Sequence, residues 1–261
     1  MKLSILFIGF FISLCKGDGR IAGGQPTSIS QYPFVVPLLT NSGAGNVFTH
    51  ACGGTILTNN AVLSSASCFF TGTVADPVSQ WRVRVGSSFR NGGGVIFVVN
   101  RITPNPNFNT GTLNNDIAVI RTRFNMNLQP GVAEAATIAG AGYTFVQNAV
   151  VYGVGWGKTS PTGDWSDEIR HVEIFVVNQQ TCAGRYSELG FSVTNNMVCA
   201  GWLDVGVRGQ CEGDNGGPLV DNGMVVGVFS WTRSCADYWY PAINTRVGSY
   251  TGWIVATAIA S

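Results

Sequence analysis

Six residues in the last quarter of the chain, Gly213-Asp214-Asn215-Gly216-Gly217-Pro218, decide how the sequence is interpreted. They combine three glycines and a proline, the residues of tight turns, with one carboxylate. Two other short segments belong with them: Arg20-Ile21-Ala22-Gly23-Gly24 near the start and Asn115-Asp116-Ile117-Ala118 in the middle. No single segment identifies a fold, so the surrounding pattern has to supply the architecture.

The surrounding sequence predicts short strands. Trp81-Arg82-Val83-Arg84-Val85 alternates apolar with charged residues, the period of a strand with one solvent-facing side. The run at 95–99 is predicted to be a more buried strand. Further strand candidates lie at 34–39, 149–154, 169–177 and 224–229. Strands spaced this regularly between turn residues favour a sandwich or barrel. One helix is predicted from a Ser249 cap to Ile259.

Composition indicates one folded unit. Only 11% of the 261 residues are charged and 45% are apolar, whereas a disordered chain needs low hydrophobicity and high net charge. Thirty-four glycines and ten prolines indicate many turns. This length suits a single all-β domain, which could consist of two halves.

The N-terminus carries a secretion signal. Met1-Lys2 is followed by an apolar run of thirteen residues, 3–15, which is too short to cross a bilayer of about 30 Å as a helix. Residues 1–17 are therefore predicted to be a signal peptide rather than a membrane anchor. The mature protein is expected to be secreted and extracellular, with no membrane partner.

Charge excludes nucleic acid as a partner. A cut after Arg20 removes three of fifteen bases and one of fourteen acids, which leaves 12 minus 13, or −1. Lys158 is then the only lysine, and the eleven arginines are scattered along the chain. A nucleic-acid-binding protein would show a basic patch instead.

Cysteine content agrees with an oxidising compartment. Removal of Cys15 with the signal peptide leaves an even set of six: Cys52, Cys68, Cys182, Cys199, Cys211 and Cys235. Three disulfides are predicted. Because six cysteines allow 15 connectivities, spacing alone does not choose the pairs.

The three quoted segments together resemble the activation site, acid motif and nucleophile loop of chymotrypsin-like serine proteases of the trypsin family. Three more motifs follow the family's order: Cys52-Gly53-Gly54, Gly155-Trp156-Gly157 and Ser230-Trp231. The resemblance covers the chain from Arg20 onward. It implies an all-β fold of two antiparallel Greek-key six-stranded β-barrels packed face to face, with a C-terminal helix. It places a propeptide at 18–20 and the barrels at 21–135 and 136–261, and it implies the disulfides Cys52–Cys68, Cys182–Cys199 and Cys211–Cys235.

Two of the three catalytic positions implied by the resemblance carry a different residue. The acid is Asp116, but Ser67 stands where the histidine is expected and Asn215 where the serine is expected. A serine nucleophile needs an adjacent base, and an amide has no hydroxyl with which to attack a carbonyl. Losing such groups costs about 10⁶-fold in turnover. Without an imidazole beside it, Asp116 is expected to accept a hydrogen bond from Ser67, and burial should raise its pKa.

The two histidines do not offer a replacement base. His50 lies two residues before Cys52 and His171 lies within a strand candidate, so both are predicted to be structural. They form no cluster with metal-ligand spacing, and the loop at 87–95 holds no carboxylate for calcium. The sequence predicts no metal and no cofactor.

The activation segments are retained. The resemblance implies that a cut after Arg20 frees the ammonium of Ile21, which pairs with Asp214 and orders an oxyanion hole. Its backbone donors would be Gly213 and Asn215. The alternative is that Asp214 and the glycines remain only because no other turn fits there.

The specificity pocket can be located by counting back six residues from Asn215. This places Gly209 at the pocket base, where trypsin-like members need an aspartate. Ser230 lines the pocket, and Thr232 and Ala242 stand on its walls where glycines are usual. A pocket without charge and with narrowed walls predicts a small, apolar substrate side chain.

These departures lead to the expectation of a secreted, catalytically inactive serine protease homologue, a pseudoprotease that acts by binding. Its expected partner is a protein protease inhibitor, for which it is a decoy, or an active protease, and a monomer is expected. The short propeptide and near absence of lysine resemble insect digestive proteases. Two alternatives remain: an active serine-type endopeptidase of the trypsin/chymotrypsin family, and a storage or lumen-lining protein without a specific ligand.

Overall fold

The computed structural model describes residues 22–41, 45 and 47–260. The predicted signal peptide, the propeptide and both residues of the predicted cut, Arg20 and Ile21, therefore lie outside the described residues. Within the described part, strands dominate and only two α-helices occur. The all-β prediction is confirmed.

The first barrel is built from the first half of the chain. In chain order the strands are β1 (Gln25–Pro26), β2 (Val35–Thr40), β3 (Thr49–Thr58), β4 (Ala61–Ser64), β5 (Phe70–Thr71), β6 (Val74–Ala75), β7 (Trp81–Val85), β8 (Val95–Pro104) and β9 (Ala118–Thr122). Six of them close a ring in the order β2, β3, β4, β9, β8 and β7. The ring is antiparallel throughout, and β5 and β6 form a separate hairpin beside it.

The second barrel follows the same plan. Its strands are β10 (Thr137–Ile138), β11 (Val150–Gly155), β12 (Arg170–Val176), β13 (Met197–Gly201), β14 (Pro218–Asp221), β15 (Met224–Trp231) and β16 (Ala242–Arg246). Strands β12, β11, β14, β15, β16 and β13 follow one another, and β13 pairs with β12 to close the ring. Strand β1 extends the ring at β12, and β10 adds in parallel to β15. Two six-stranded barrels are thus confirmed.

Strand β8 differs from its prediction as a buried strand. Val95 is 60% exposed and Ile96 is 47% exposed. Phe97 packs against the first core and Val99 is buried in it, so alternate side chains point outward. Val98 is exposed as well, so most of this apolar run lies on the outer surface of the barrel.

Of the two helices in the described part of the chain, only the second was predicted from the sequence. Helix α1 (Gln179–Ser187) was missed, although Asn178 caps it by accepting a hydrogen bond from Thr181 N at 3.0 Å. Helix α2 (Thr251–Ile259) was predicted, but Ser249 does not cap it, because Ser249 ends a preceding 3₁₀ turn and Tyr250 lies between them. Neither helix has the length or the apolar run that crossing a bilayer needs.

A shared core joins the barrels. Leu63 and Val119 of the first barrel pack in one cluster with Val226 of the second and Ile254 of α2. The fully buried Trp156 adds a polar link, because its Nε1 donates to Ser88 O of the first barrel at 2.9 Å. The two barrels are therefore held in one fixed arrangement around the cleft.

Three disulfides form with the pairing that the family resemblance implied. Cys52 pairs with Cys68, Cys182 with Cys199 and Cys211 with Cys235, across sequence separations of 16, 17 and 24. By loop entropy each bridge contributes about 3 kcal/mol. The last bridge joins the nucleophile loop to the segment that follows β15.

Candidate active site

The fold brings the three triad positions to the junction of the barrels. Ser67 begins a 3₁₀ turn after β4, Asp116 lies two residues before β9, and Asn215 lies in the loop before β14. Ser67 Oγ donates to Asp116 Oδ2 at 2.8 Å, and Ser67 N donates to Oδ1 at 2.7 Å. The loop of Asn215 is docked on the first barrel, because Gly53 N donates to Asn215 O at 2.7 Å.

Asp116 is completely buried, yet its carboxylate is well supplied with donors. Besides Ser67, the Ser230 hydroxyl donates to Oδ2. Burial raises the pKa of Asp116, and the hydrogen bonds from Ser230 and Ser67 act in the opposite direction. The predicted contact with Ser67 and the predicted direction of the pKa shift are both confirmed.

Asn215 is held by its side chain as well as by its backbone. Its Nδ2 donates to Ser230 O at 2.7 Å, and its Oδ1 accepts from Gly213 N at 3.3 Å. Gly213 adopts φ +91°, and a Cβ there would lie 2.1 Å from Trp165 Cζ3, so the position requires glycine. Nothing in the sequence around Trp165 indicated that its ring would cover this turn.

Asp214 is buried beside this turn. Its carboxylate accepts from Gly157 N at 2.8 Å and from Cys211 N at 3.0 Å, and burial raises its pKa to about 7. In the same turn Gly216 adopts φ +79°, and a Cβ there would lie 2.0 Å from Ser64 Oγ, so the alternative that only glycine fits this turn is also supported. Because Ile21 lies outside the described residues, its pairing with Asp214 stays a prediction.

The predicted pocket is nearly closed. Gly209, Thr232 and Ala242 line a cavity of about 10 Å³, roughly the space of one water molecule. A Cβ on Gly209 would lie 3.0 Å from Ala236 Cα, so the base has no room for a larger residue. Ser230 does not line this cavity, because its hydroxyl turns to Asp116.

Eight further residues line this cavity and were missed, among them the polar Gln210 and Asp237. Gln210 is 1% exposed, and its Oε1 accepts from Asn244 Nδ2 at 3.0 Å. Asp237 also lines the cavity, but it accepts from Trp239 N at 2.8 Å and Tyr240 N at 3.0 Å. Gln210 follows Gly209 directly and could have been found by that position, whereas nothing local places Asp237 at the pocket.

Both histidines are engaged elsewhere. The buried His50 ring lies 6.0 Å from Trp156 and 5.7 Å from Trp165, measured between ring centroids, and burial together with Arg90 lowers its pKa to about 3. His171 Nδ1 and the Tyr32 hydroxyl share a hydrogen bond of 2.8 Å, and burial lowers the His171 pKa. These contacts support structural roles.

Comparison with known proteins identifies close relatives over almost the entire chain. The family model for trypsin matches residues 21–254. Alkaline trypsin A of Manduca sexta is 49% identical over 254 residues, which cover 97% of each chain. Trypsin CFT-1 of Choristoneura fumiferana is 44% identical over 260 residues, which cover 99% of this chain and 98% of the relative.

These relatives correct the expected function. The prediction of an inactive homologue that acts only by binding is wrong, since proteins 44% to 49% identical over nearly their whole length are named as trypsins. That prediction depended on two side chains, Ser67 and Asn215, whereas the similarity extends through both barrels. The comparisons favour the alternative weighed beside it, a serine-type endopeptidase.

Proposed function

This chain belongs to the trypsin family, and we propose that it is a secreted serine-type endopeptidase. The observation that carries the proposal is the similarity to named trypsins along nearly the whole chain. Because the two replaced positions rule out the family's usual pair of base and nucleophile, other groups of the cleft have to supply the reaction.

Ser67 is the hydroxyl best placed to react. It donates to Asp116 at 2.8 Å and is only half-buried, whereas Ser230, the other hydroxyl on Asp116, is 3% exposed. Asn215 has no hydroxyl at all. Ser67 is therefore the one residue of this cluster that both donates a hydroxyl to the acid and is partly exposed.

The reaction can be written with these two groups. Ser67 Oγ bonds to the scissile carbonyl carbon while its proton moves to Asp116, and the proton then passes to the leaving amine as the carbon–nitrogen bond breaks. Water attacks the resulting ester with Asp116 again as the base, which restores the Ser67 hydroxyl. Burial raises the pKa of Asp116 and so makes it a better proton acceptor than an exposed carboxylate.

The pocket supports a preference for glycine or alanine next to the scissile bond. The cavity of about 10 Å³ between Gly209, Thr232 and Ala242 leaves no space for a long side chain. Asp237, the carboxylate on its wall, accepts from two backbone N–H groups at Oδ1, and its Oδ2 lies 3.9 Å from the Arg233 guanidinium. An arginine or lysine substrate side chain would thus find neither room nor a free counter-charge.

Secretion and activation by cleavage are parts of the same proposal. An apolar segment with the features of a signal peptide precedes Arg20, and the trypsin match begins at Ile21. The support for activation is Asp214, a buried carboxylate whose pKa burial raises to about 7 and which an ammonium ion would stabilise.

The test is cleavage after Arg20, followed by assays on peptides with alanine or arginine at the position before the scissile bond. A fluorophosphonate probe should label Ser67, as located by mass spectrometry. Ser67→Ala should abolish both signals, while Ser79→Ala, an exposed matched control, should change neither. Loss of turnover in Ser67→Ala also excludes a contaminating protease.

A double variant, Ser67→His with Asn215→Ser, calibrates the assay because it restores both family residues. The proposal predicts measurable native turnover below that of the double variant. An active double variant beside a native protein with no turnover and no label would overturn the proposal.

A further inference from the structure

Another cavity opens on the side of the second barrel, where strands β12 and β13 separate. Its volume is about 340 Å³, within the range of about 300 to 1,000 Å³ in which proteins hold small molecules. The two strands pair at only two positions, Phe175 with Gly201 and Val176 with Ala200. Residues at and just beyond these strand ends line the cavity together with the first turn of α1. The cavity is therefore built into the frame of the barrel.

The lining of this cavity is polar but uncharged. Its polar side chains are the amides of Gln147, Asn148 and Asn178 and the hydroxyl of Thr181. No charged side chain lines it among the described residues, although the second barrel carries ten acidic residues. A charge buried without a partner costs free energy, so the ligand that suits this lining is neutral.

Two of the three amides keep hydrogen-bonding groups for a ligand. Asn178 is occupied, because its Oδ1 accepts from Thr181 N at 3.0 Å and its Nδ2 donates to Gln147 Oε1 at 3.3 Å. This contact orients Gln147, whose Nε2 has no partner in the described part of the chain. The exposed amide of Asn148 likewise has no partner there. An amide offers a donor and an acceptor side by side, which matches two neighbouring hydroxyls of a sugar ring.

An aromatic ring forms another part of the lining. The Arg208 Cζ lies 4.4 Å from the centroid of the partly exposed Trp202 ring, and the Phe175 centroid lies 6.3 Å away with its plane inclined by 55°. These contacts hold the indole without burying it. An aromatic ring offers an apolar surface, and the indole N–H can donate to a hydroxyl. A sugar ring presents the same combination, C–H groups on its face and hydroxyls around its edge.

A neighbouring cavity of about 210 Å³ extends the site beyond one sugar ring. The two cavities share four residues, among them Gln147 and Asn178. Phe145 and Arg246 line only the second, and the Arg246 Cζ lies 4.8 Å from the Phe145 centroid. The buried Arg246 Nε makes no hydrogen bond to the described residues, so it can donate to a ligand oxygen. A chain of two or three rings suits the combined space.

We propose that these two cavities bind a neutral oligosaccharide, one ring of which packs on Trp202 while its hydroxyls bond to Gln147 and Asn148. A proline-rich peptide also binds aromatic grooves, but its prolines have no N–H for the amide oxygen of Asn148. Because neither Ser67 nor Asp116 lines these cavities, the proposal does not depend on the function proposed above.

Calorimetry with three neutral trisaccharides, maltotriose, cellotriose and triacetylchitotriose, tests the proposal. At least one should bind the mature protein with a dissociation constant below about 5 mM. Trp202→Ala should weaken this binding at least about tenfold, because the apolar surface is lost. Trp239→Ala is the matched control: the Arg185 Cζ lies 4.0 Å from its ring centroid, but Trp239 lines neither cavity, so the affinity should not change.

Asn148→Gly tests the polar part of the site. Asn148 adopts φ +62°, which glycine accepts without strain, so the variant removes the amide and keeps the backbone. The affinity for the same trisaccharide should fall about fivefold, since one or two hydrogen bonds are lost. Asn222→Gly is the matched control, because Asn222 is exposed, adopts φ +46° and lines neither cavity.

Three outcomes would overturn the proposal. The first is a dissociation constant above about 5 mM for all three sugars. The second is equal affinity in the parent, Trp202→Ala and Asn148→Gly, since the sugar would then bind elsewhere. The third is binding of a proline-rich peptide in place of every sugar. If Trp202→Ala does not fold, Gln147→Ala replaces it and should also weaken binding about fivefold.

Peptidase activity is not measured in these titrations. An inactive native enzyme would count against the proposed function and leave the sugar result standing. Absence of sugar binding would leave the proposed function untouched.

Discussion

The two barrels each contribute a buried acid to the cleft, and the surroundings of these acids differ. Asp116 of the first barrel accepts from a backbone N–H and two hydroxyls, supplied by Ser67 and Ser230. In the described part of the chain, Asp214 of the second barrel accepts from two backbone N–H groups, and burial raises its pKa to about 7. The first acid is thus anchored by side chains of both barrels, while the described residues supply only backbone donors to the second.

The largest expected effect comes from removing the anchored acid. Asp116→Ala would leave Ser67 N and the hydroxyls of Ser67 and Ser230 without their acceptor inside the protein. We expect a loss of about 3 kcal/mol in the free energy of unfolding, measured by urea denaturation, because buried donors without partners are costly.

Asp76→Ala is the control for this variant. Asp76 accepts from the Thr71 hydroxyl in an exposed hairpin, so its loss should cost about 0.5 kcal/mol. A similar cost for the two variants would show that the bonds to Ser67 and Ser230 contribute little beyond exposed ones.

The second effect is the pH dependence caused by Asp214. In the uncut chain, kept intact by Arg20→Gln, its pKa of about 7 lies above the unfolded value, so its contribution to stability is full below about pH 4 and is lost as pH rises through about 7. Asp214→Asn removes this dependence. The stability of Asp214→Asn relative to the parent should therefore rise between pH 4 and 7, by at most about 1.4 kcal/mol per pH unit.

At each pH, the free energy of unfolding of Asp214→Asn has to be compared with that of the parent protein. His50, whose pKa burial lowers to about 3, makes the opposite contribution in both, since its stability term grows as pH rises toward the unfolded value. Urea denaturation at several pH values gives the difference. A difference that stays constant from pH 4 to 8 would show that Asp214 is ionised in the uncut chain throughout this range.

The smallest expected effect lies at the rim between the barrels. Residues 22–135 carry six basic and three acidic residues and residues 136–260 carry six and ten, so the barrels have opposite net charges of +3 and −4. Arg90 of the first pairs with Asp167 of the second at 2.9 Å, but Asp167 is 83% exposed. Asp167→Ala should therefore cost less than about 1 kcal/mol, with the difference vanishing in 1 M salt.

A larger loss of stability in Asp167→Ala that does not depend on salt would give the contact between Arg90 and Asp167 another role. The contact would then order the loop around Trp165 rather than act through charge. Glu188→Ala, an exposed acid on the second barrel near the end of α1, is the matched control and should be neutral.

Sequence reasoning succeeded where the pattern is local or the motif has a fixed order. Trp81–Val85 alternates strictly and forms a strand with those bounds. Its predicted solvent-facing side is only partly confirmed, because Arg84 is buried and donates to Asn91 O at 3.1 Å. It failed at β8, where an apolar run indicated burial but alternate residues face outward. It also missed α1, because only Cys182 and Tyr186 of that helix are buried and the apolar face is narrow.

The function was the main error. Reasoning from the two replaced side chains led to a protein that only binds, whereas relatives matched along both barrels are named as trypsins. The prediction gave more weight to Ser67 and Asn215 than to the similarity along the rest of both barrels. Ser67 and Asp116 share a hydrogen bond, and Asn215 contacts Ser230, whose hydroxyl also donates to Asp116. That this cluster is the active site stays a prediction.

The sequence by itself determined the barrel class, the set of six cysteines and the residues present at the three catalytic positions. Only the tertiary structure decided what those residues contact. Asp116 meets Ser67 across 49 residues and Ser230 across 114, and the pocket closes where Ala236 packs over Gly209. Hydrogen bonds and close packing act over a few ångströms in space, and their partners are brought together by strand order and register, which short motifs do not encode.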